Sequence, residues 1–248
     1  MPSAETRREE LKAVWRQAQA CTKCPQLAAT RTSVVFGAGN ADADLMFVGE
    51  APGANEDEQG LPFVGQAGRL LDTLLEEIGL ARADVFIANT LLCRPPGNRD
   101  PLPGEIDACQ DWLFRKLELI EPRVICTLGN FSTKLLRADP GTGITRLHGR
   151  EEIRTIGPRT VRLYPLYHPA AALYTPSMLE VLRTDFARIP ELLALPALTQ
   201  PASPAGTGEQ PAPEEPELVV PEPQVVAELT EAAEPAEPEP ESAQLGLF

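Results

Sequence analysis

Four cysteines constrain this chain more than any other feature. Cys21 and Cys24 form a C-x2-C pair, and Cys93 and Cys109 stand singly much further along. Three of them lie in polar or Pro/Gly-rich surroundings, which is unusual for cysteines that merely fill a core. A pair plus two distant singles is the pattern of a four-thiolate metal site that only the tertiary fold can close. Any architecture must therefore bring residues 21–24, 93 and 109 together. Spacing alone leaves zinc and an iron–sulfur cluster equally open. A redox dithiol fits less well, because Cys21-Thr22-Lys23-Cys24 does not follow a strand. Cys126, inside Val124-Ile125-Cys126, reads as a buried strand thiol.

The apolar periodicity supplies that architecture. Helices are expected over residues 4–20, 67–78, 105–119 and 177–193, with a short one from Asn130. Short apolar strands are expected over 44–49, 85–89, 123–128 and 161–167. Strands alternating with helices indicate a three-layer α/β/α sandwich around a central, mainly parallel four-stranded sheet. In such sheets ligands bind beyond the carboxyl ends of the strands. Gly49-Glu50, Asn89 and His168 all fall at those ends.

Composition divides the chain. From Pro201 to Glu241 there is Pro, Glu and Ala with no Lys, Arg or aromatic. Such a stretch cannot bury enough apolar surface to offset its ordering entropy. The expected organisation is a globular domain over 1–195, a disordered acidic tail over 196–243 and a terminal motif over 244–248. The net charge of −14 misleads until it is split. Residues 201–248 hold 11 of the 36 acidic side chains and none of the 22 basic ones, so the remainder is close to neutral. A nucleic-acid partner is therefore not excluded. With no membrane-length apolar run and no signal core, a cytoplasmic protein that makes no membrane contact is expected.

Several blocks carry a specific resemblance. They are Gly49-Glu50-Ala51-Pro52-Gly53, then Glu56-Asp57 and Pro62-Phe63-Val64-Gly65, then Ala88-Asn89 with Cys93-Arg94-Pro95-Pro96-Gly97-Asn98-Arg99, and finally Tyr167-His168-Pro169. Together with the cysteine order they resemble the family 4, iron–sulfur uracil-DNA glycosylases over roughly residues 10–193. The resemblance implies a [4Fe–4S] cluster on Cys21, Cys24, Cys93 and Cys109. It implies an enzyme, expected to be a monomer, that flips uracil out of single- or double-stranded DNA and hydrolyses its glycosidic bond.

The residue types suit that chemistry. Phe63 can stack on the base. The Asn89 amide can donate to O4 and accept from N3–H, a pattern that cytosine reverses. His168 can donate to O2 as negative charge develops, and a neutral imidazole suffices. Glu50 can stabilise the sugar cation or orient water. Related glycosylases carry an aspartate for water activation where this chain has Ala51, so the acid is displaced by one residue. The Ala51 N–H can contact the base, and by resemblance Glu56 crowds C5 and excludes thymine. Each has a plainer alternative: a solvated carboxylate for Glu50, a core aromatic for Phe63, a turn residue for Asn89, a buried histidine for His168. His148 lies in the basic run Arg146-Leu147-His148-Gly149-Arg150, which suits phosphate contact better than catalysis. Arg94, Arg99, Arg146 and Arg150 are candidate phosphate contacts. Leu173 is the candidate wedge for the gap left by a flipped base, or else packs under its loop.

The tail ends in Gln244-Leu245-Gly246-Leu247-Phe248. This pentapeptide resembles the motif by which bacterial repair proteins bind the sliding clamp. Gln244, Leu245, Leu247 and Phe248 would fill its groove at the end of an extended acidic tether. Two rival functions use the same residues: a catalytically silent DNA-binding relative holding zinc or iron–sulfur, and a clamp adaptor.

Overall fold

A computed structural model describes residues 3–157 and 159–201. The expected terminal motif, and nearly all of the expected acidic tail, lie outside the described residues.

Six strands form one sheet: β1 (Ala38–Gly39), β2 (Leu45–Gly49), β3 (Phe86–Asn89), β4 (Val124–Leu128), β5 (Glu152–Ile156) and β6 (Arg159–Leu166). Their order is β1-β3-β2-β4-β6-β5. The inner four, β3-β2-β4-β6, are parallel, and β1 and β5 pair antiparallel at the two edges. The four expected strands are thus the parallel core, and the sheet gains two edge strands that the sequence reading omitted. β1 is only two residues long, hemmed by Gly37 and Gly39 at φ 132° and 128°, so it shows no alternation to read. β5 is a charged edge, Glu-Ile-Arg-Thr-Ile, with Ile153 pointing outward at 63% exposure. Such charged, short edges also block sheet-to-sheet association.

Alternate side chains of the inner strands feed two separate cores. Met46, Val48, Ala88 and Ile125 pack with Leu11, Val14, Trp112 and Leu113 from the helices Ala4–Gln19 and Pro103–Ile120. Leu45, Phe47, Ile87 and Cys126 pack on the other face with Leu71, Leu74 and Leu75 of the helix Gln66–Glu77 and with Leu182 and Phe186 of the helix Met178–Phe186. Strands buried on both faces read as unbroken apolar runs, which is why β2 and β4 were legible.

The expected single closing helix is two, Met178–Phe186 and Ile189–Ala194, with Pro190 in the first turn of the second. Proline fits that first turn but cannot continue a helix that arrives from upstream. Short helices Pro25–Thr30, Ala54–Gln59, Ile144–Leu147 and Ala170–Tyr174 fill loops. Beyond residue 195 the chain stays tied to β6, where Gln200 exchanges two 3.0 Å hydrogen bonds with the Thr160 backbone. Among the described residues no helix is long and apolar enough to cross a membrane.

Candidate functional site

The parallel strands deliver their polar residues to one rim. Glu50 follows β2, Asn89 ends β3, and His168 follows β6. All six expected pocket residues, Glu50, Ala51, Glu56, Phe63, Asn89 and His168, line a single cavity of about 380 Å³. Pro95, Asn98 and Arg99 line it as well.

Asn89 is only 2% exposed, and its Oδ1 accepts no hydrogen bond. A buried polar atom left unpaired costs roughly 1–3 kcal/mol, so it stands out in a native structure unless a ligand completes it. Gly49 makes room for it, since a Cβ there would stand 2.4 Å from that oxygen and 2.8 Å from the Phe63 ring.

Phe63 is buried and belongs to the core beneath the cavity, and it also lines that cavity. Its ring stacks beside His168, centroids 5.5 Å apart. The backbone at Phe63 has φ 53°, a left-handed conformation that is uncommon for a bulky side chain. Three groups impose it. Arg82 donates to both the Pro62 and Phe63 carbonyls, the latter at 2.9 Å, and is itself held by Asp72. Gly68 admits the Phe63 carbonyl, which would lie 1.8 Å from a Cβ there. Glu56 Oε1 accepts from the Val64 and Gly65 N–H groups at 2.9 and 2.8 Å. Arg82 and Gly68 were not found from sequence, because neither touches the cavity and no motif marks them.

The electrostatics separate the two candidate catalytic groups. Burial, reinforced by Asp100, pushes the Glu50 carboxyl up to about 7. Burial pushes the His168 imidazole down to about 4, with Glu56 opposing. His168 is therefore neutral at physiological pH. Its Nδ1 accepts the Ala170 N–H at 3.1 Å, so the proton resides on Nε2. The site thus offers a neutral N–H donor and a carboxylate poised between its two protonation states.

Cys21, Cys24, Cys93 and Cys109 line a second, small cavity with Arg31, Leu91 and Leu92. The helix Ala4–Gln19 leads into Cys21, Cys24 caps Pro25–Thr30, and Cys109 sits on Pro103–Ile120. Burial raises the Cys24 and Cys93 thiols and takes Cys109 to about 12. Bare thiolates would be unstable here and need a metal to hold them deprotonated. Two donors already aim at sulfur: Arg31 Nη1 at 3.2 Å from Cys93 Sγ and the Leu92 N–H at 3.4 Å from Cys109 Sγ. Among the described residues no three His, Cys, Asp or Glu side chains converge as ligands of one ion. Four thiols around one small cavity are a donor set that suits a thiolate-held metal group.

The two cavities have no lining residue in common, but the chain after β3 links them. The chain leaving β3 runs beside that leaving β2, with Thr90 N–H donating to Gly49 O and Leu91 N–H to Glu50 O, both at 3.0 Å. The next residue, Leu92, is the one bonded to Cys109 sulfur.

Around the rim, Arg94 bonds Asn98 at 2.7 Å, and Arg99 forms a bidentate pair with Glu105 at 2.9 and 2.6 Å. Arg99 is thus a wall of the cavity pinned by a carboxylate. Arg146 and Arg150 are exposed, and their guanidiniums have no partner among the described residues. Leu173 is 44% exposed and Tyr174 87%, on the short helix directly after His168.

The uracil DNA glycosylase superfamily matches residues 36–191. The type-4 uracil-DNA glycosylase of Archaeoglobus fulgidus is 46% identical over 188 residues, 74% of this chain and 94% of that protein. The type-4 enzyme of Sulfurisphaera tokodaii is 44% identical over 192 residues, 76% of this chain and 87% of that one. A type-5 uracil-DNA glycosylase of Pyrobaculum aerophilum is more distant, 28% identical over 180 residues, 60% of this chain and 78% of that protein.

Proposed function

The chain belongs to the uracil-DNA glycosylase superfamily, among its type-4 members, and on that premise we propose how its cavity excises uracil from DNA. It is a monofunctional glycosylase that hydrolyses the N-glycosidic bond and so initiates base excision repair. The observation that carries the site assignment is the unpartnered Asn89 Oδ1 facing a cavity that His168 also lines.

A flipped uracil places N3–H on Asn89 Oδ1 and O4 on its amide N–H, giving the buried oxygen the partner it lacks. Phe63 covers the base, and the Ala51 N–H reaches its edge. Glu56 serves twice, holding the Phe63 loop and filling the space a thymine methyl would need. The C1′–N1 bond breaks with its electron pair passing into the uracil ring. The charge gathering on O2 is met by the His168 Nε2–H. Glu50, as carboxylate, offsets the cationic sugar and accepts the proton of the water whose oxygen bonds C1′. The uracil anion takes its proton from solvent after release.

The cysteine cavity would hold a [4Fe–4S] cluster on Cys21, Cys24, Cys93 and Cys109. When bound, such a cluster supplies a four-point cross-link between the N-terminal helices, the segment after β3 and the helix Pro103–Ile120. Leu173 supplies the wedge, and Arg94, Arg99, Arg146 and Arg150 the phosphate-facing rim. Sequence alone supports the remaining readings. These are a monomer acting in the cytoplasm, a globular domain followed by an acidic tether, and sliding-clamp binding by Gln244, Leu245, Leu247 and Phe248.

The decisive experiment is uracil release from single- and double-stranded oligonucleotides by the wild type and Asn89→Ala, with iron and sulfide analysis of the same sample. Release is expected from the wild type and severely reduced in the variant. Near-normal release by Asn89→Ala removes the pocket assignment.

A further inference from the structure

Outside both cavities, an acid and a base are paired without a role in the steps above. His148 caps the helix Ile144–Leu147, and its Nδ1 lies 2.8 Å from Asp185 Oδ2. Asp185, on the helix Met178–Phe186, has a side chain only 9% exposed. The chain crosses directly over this carboxylate. Gly149 has φ 69°, and a Cβ there would stand 2.4 Å from Asp185 Oδ1. The loop is pinned from below by Gly149 N–H donating to Pro165 O at 3.0 Å and by Arg188 donating to Gly149 O at 3.1 Å. The His148 ring lies on Tyr167, centroids 4.5 Å apart, next in sequence to His168.

What this holds in place is the other ring nitrogen. His148 Nε2 makes no hydrogen bond among the described residues and is not one of the buried unpartnered atoms, so it reaches solvent. On either side stand Arg146 and Arg150, exposed and unpaired. Arg146, in the last turn of the helix Ile144–Leu147, His148 and Arg150 thus place three cationic or cationisable heads on one short, pinned segment.

We propose that loop 146–150 is a binding site for the DNA phosphodiester backbone, in which His148, held by Asp185, donates its Nε2–H to a phosphate oxygen between Arg146 and Arg150. The inference rests on the reading of this chain as a DNA glycosylase. With Nδ1–H committed to the carboxylate, Nε2 can donate only as imidazolium, so the contact takes up one proton. The charged groups around the ring are Asp185, Arg146, Arg150 and Arg188. Glu151 pairs with Arg188 at 3.4 Å and moderates the last of these. Tyr167 packs its ring against the imidazole at a tilt of 39°. Burial raises the Asp185 carboxyl while His148 and Arg188 draw it back down, as expected of a buried acid that depends on its partner.

The test is binding of a fluorescent duplex that contains no uracil, measured across salt and between about pH 5.5 and 8.5. His148→Ala is expected to weaken binding about five- to tenfold at the acid end and little at the alkaline end. It should also lower the salt slope at acid pH by about 0.9. Arg146→Ala is expected to lower the slope by a similar amount at every pH. Asp185→Asn should move the onset of the pH effect downward. If thermal melting shows His148→Ala to be unfolded, His148→Gln, which keeps the bulk but cannot titrate, must abolish the proton dependence instead. A His148 variant that melts normally and retains wild-type pH and salt dependence overturns the proposal. Because the probe lacks uracil, failure of the glycosylase reading would appear separately, as wild-type protein that binds DNA yet releases no uracil.

Discussion

The base cavity and the cysteine cavity are built on the same stretch of chain after β3, yet they are finished in opposite ways. The cysteine cavity is the smaller of the two. Its sulfurs already receive N–H donors from Arg31 and Leu92, and three of its four thiols are pushed up by burial. The base cavity is left open at one chosen atom, Asn89 Oδ1, and at one ring nitrogen, His168 Nε2. A resident group lets a protein satisfy its own polar atoms in advance. A visiting base requires some to be left unsatisfied, and their cost is borne by the rest of the fold.

That contrast can be broken by mutation. His168→Ala is expected to reduce single-turnover excision roughly 10²–10³-fold while leaving iron content and melting temperature unchanged. A parallel loss of iron would mean that the two cavities are not separable. Arg31→Ala should do the reverse, with iron lost to a chelator roughly 10–100-fold faster, followed by absorbance. Arg82→Ala should slow excision about tenfold, since releasing the Phe63 carbonyl forfeits about 1–2 kcal/mol of positioning. Rescue by a bulkier hydrophobic residue at 63 would argue against that account.

Acid–base behaviour sharpens the same comparison. On the proposed role of Glu50 as a carboxylate, excision should fall about tenfold per unit as pH drops below about 7. His168, neutral down to about 4, adds no second loss in that range. Glu50→Gln should flatten the profile. The sign for stability is opposite. A carboxyl raised from 4.5 to about 7 binds its proton more tightly folded than unfolded, so it costs stability as pH rises through that window. Glu50→Gln should therefore gain most in melting temperature above pH 7. A uniform gain at all pH values would point to packing instead of charge.

The strand-end residues were legible because doubly buried parallel strands expose their periodicity and their termini together. The cysteines were legible because thiols in polar surroundings need a reason. What could not be read lies in contacts between segments without chemistry of their own. Arg82 is an ordinary surface arginine until the Phe63 carbonyl turns toward it, and Gly68 is an ordinary helix glycine until that carbonyl approaches. The edge strands escaped for a different reason: one is too short to alternate, and the other is dominated by charge. Arg99 was read as a phosphate contact from its loop, and its bidentate bond to Glu105 and its place beside the cavity were not legible there.

Between the carbonyl of Glu50 and the sulfur of Cys109 run only two residues, Leu91 and Leu92, each bonded at its amide to one side. So short a strut has no slack in which to absorb a displacement. Any loosening at the cysteines would therefore reach the cavity beyond β2 as a mechanical shift rather than fade along the chain.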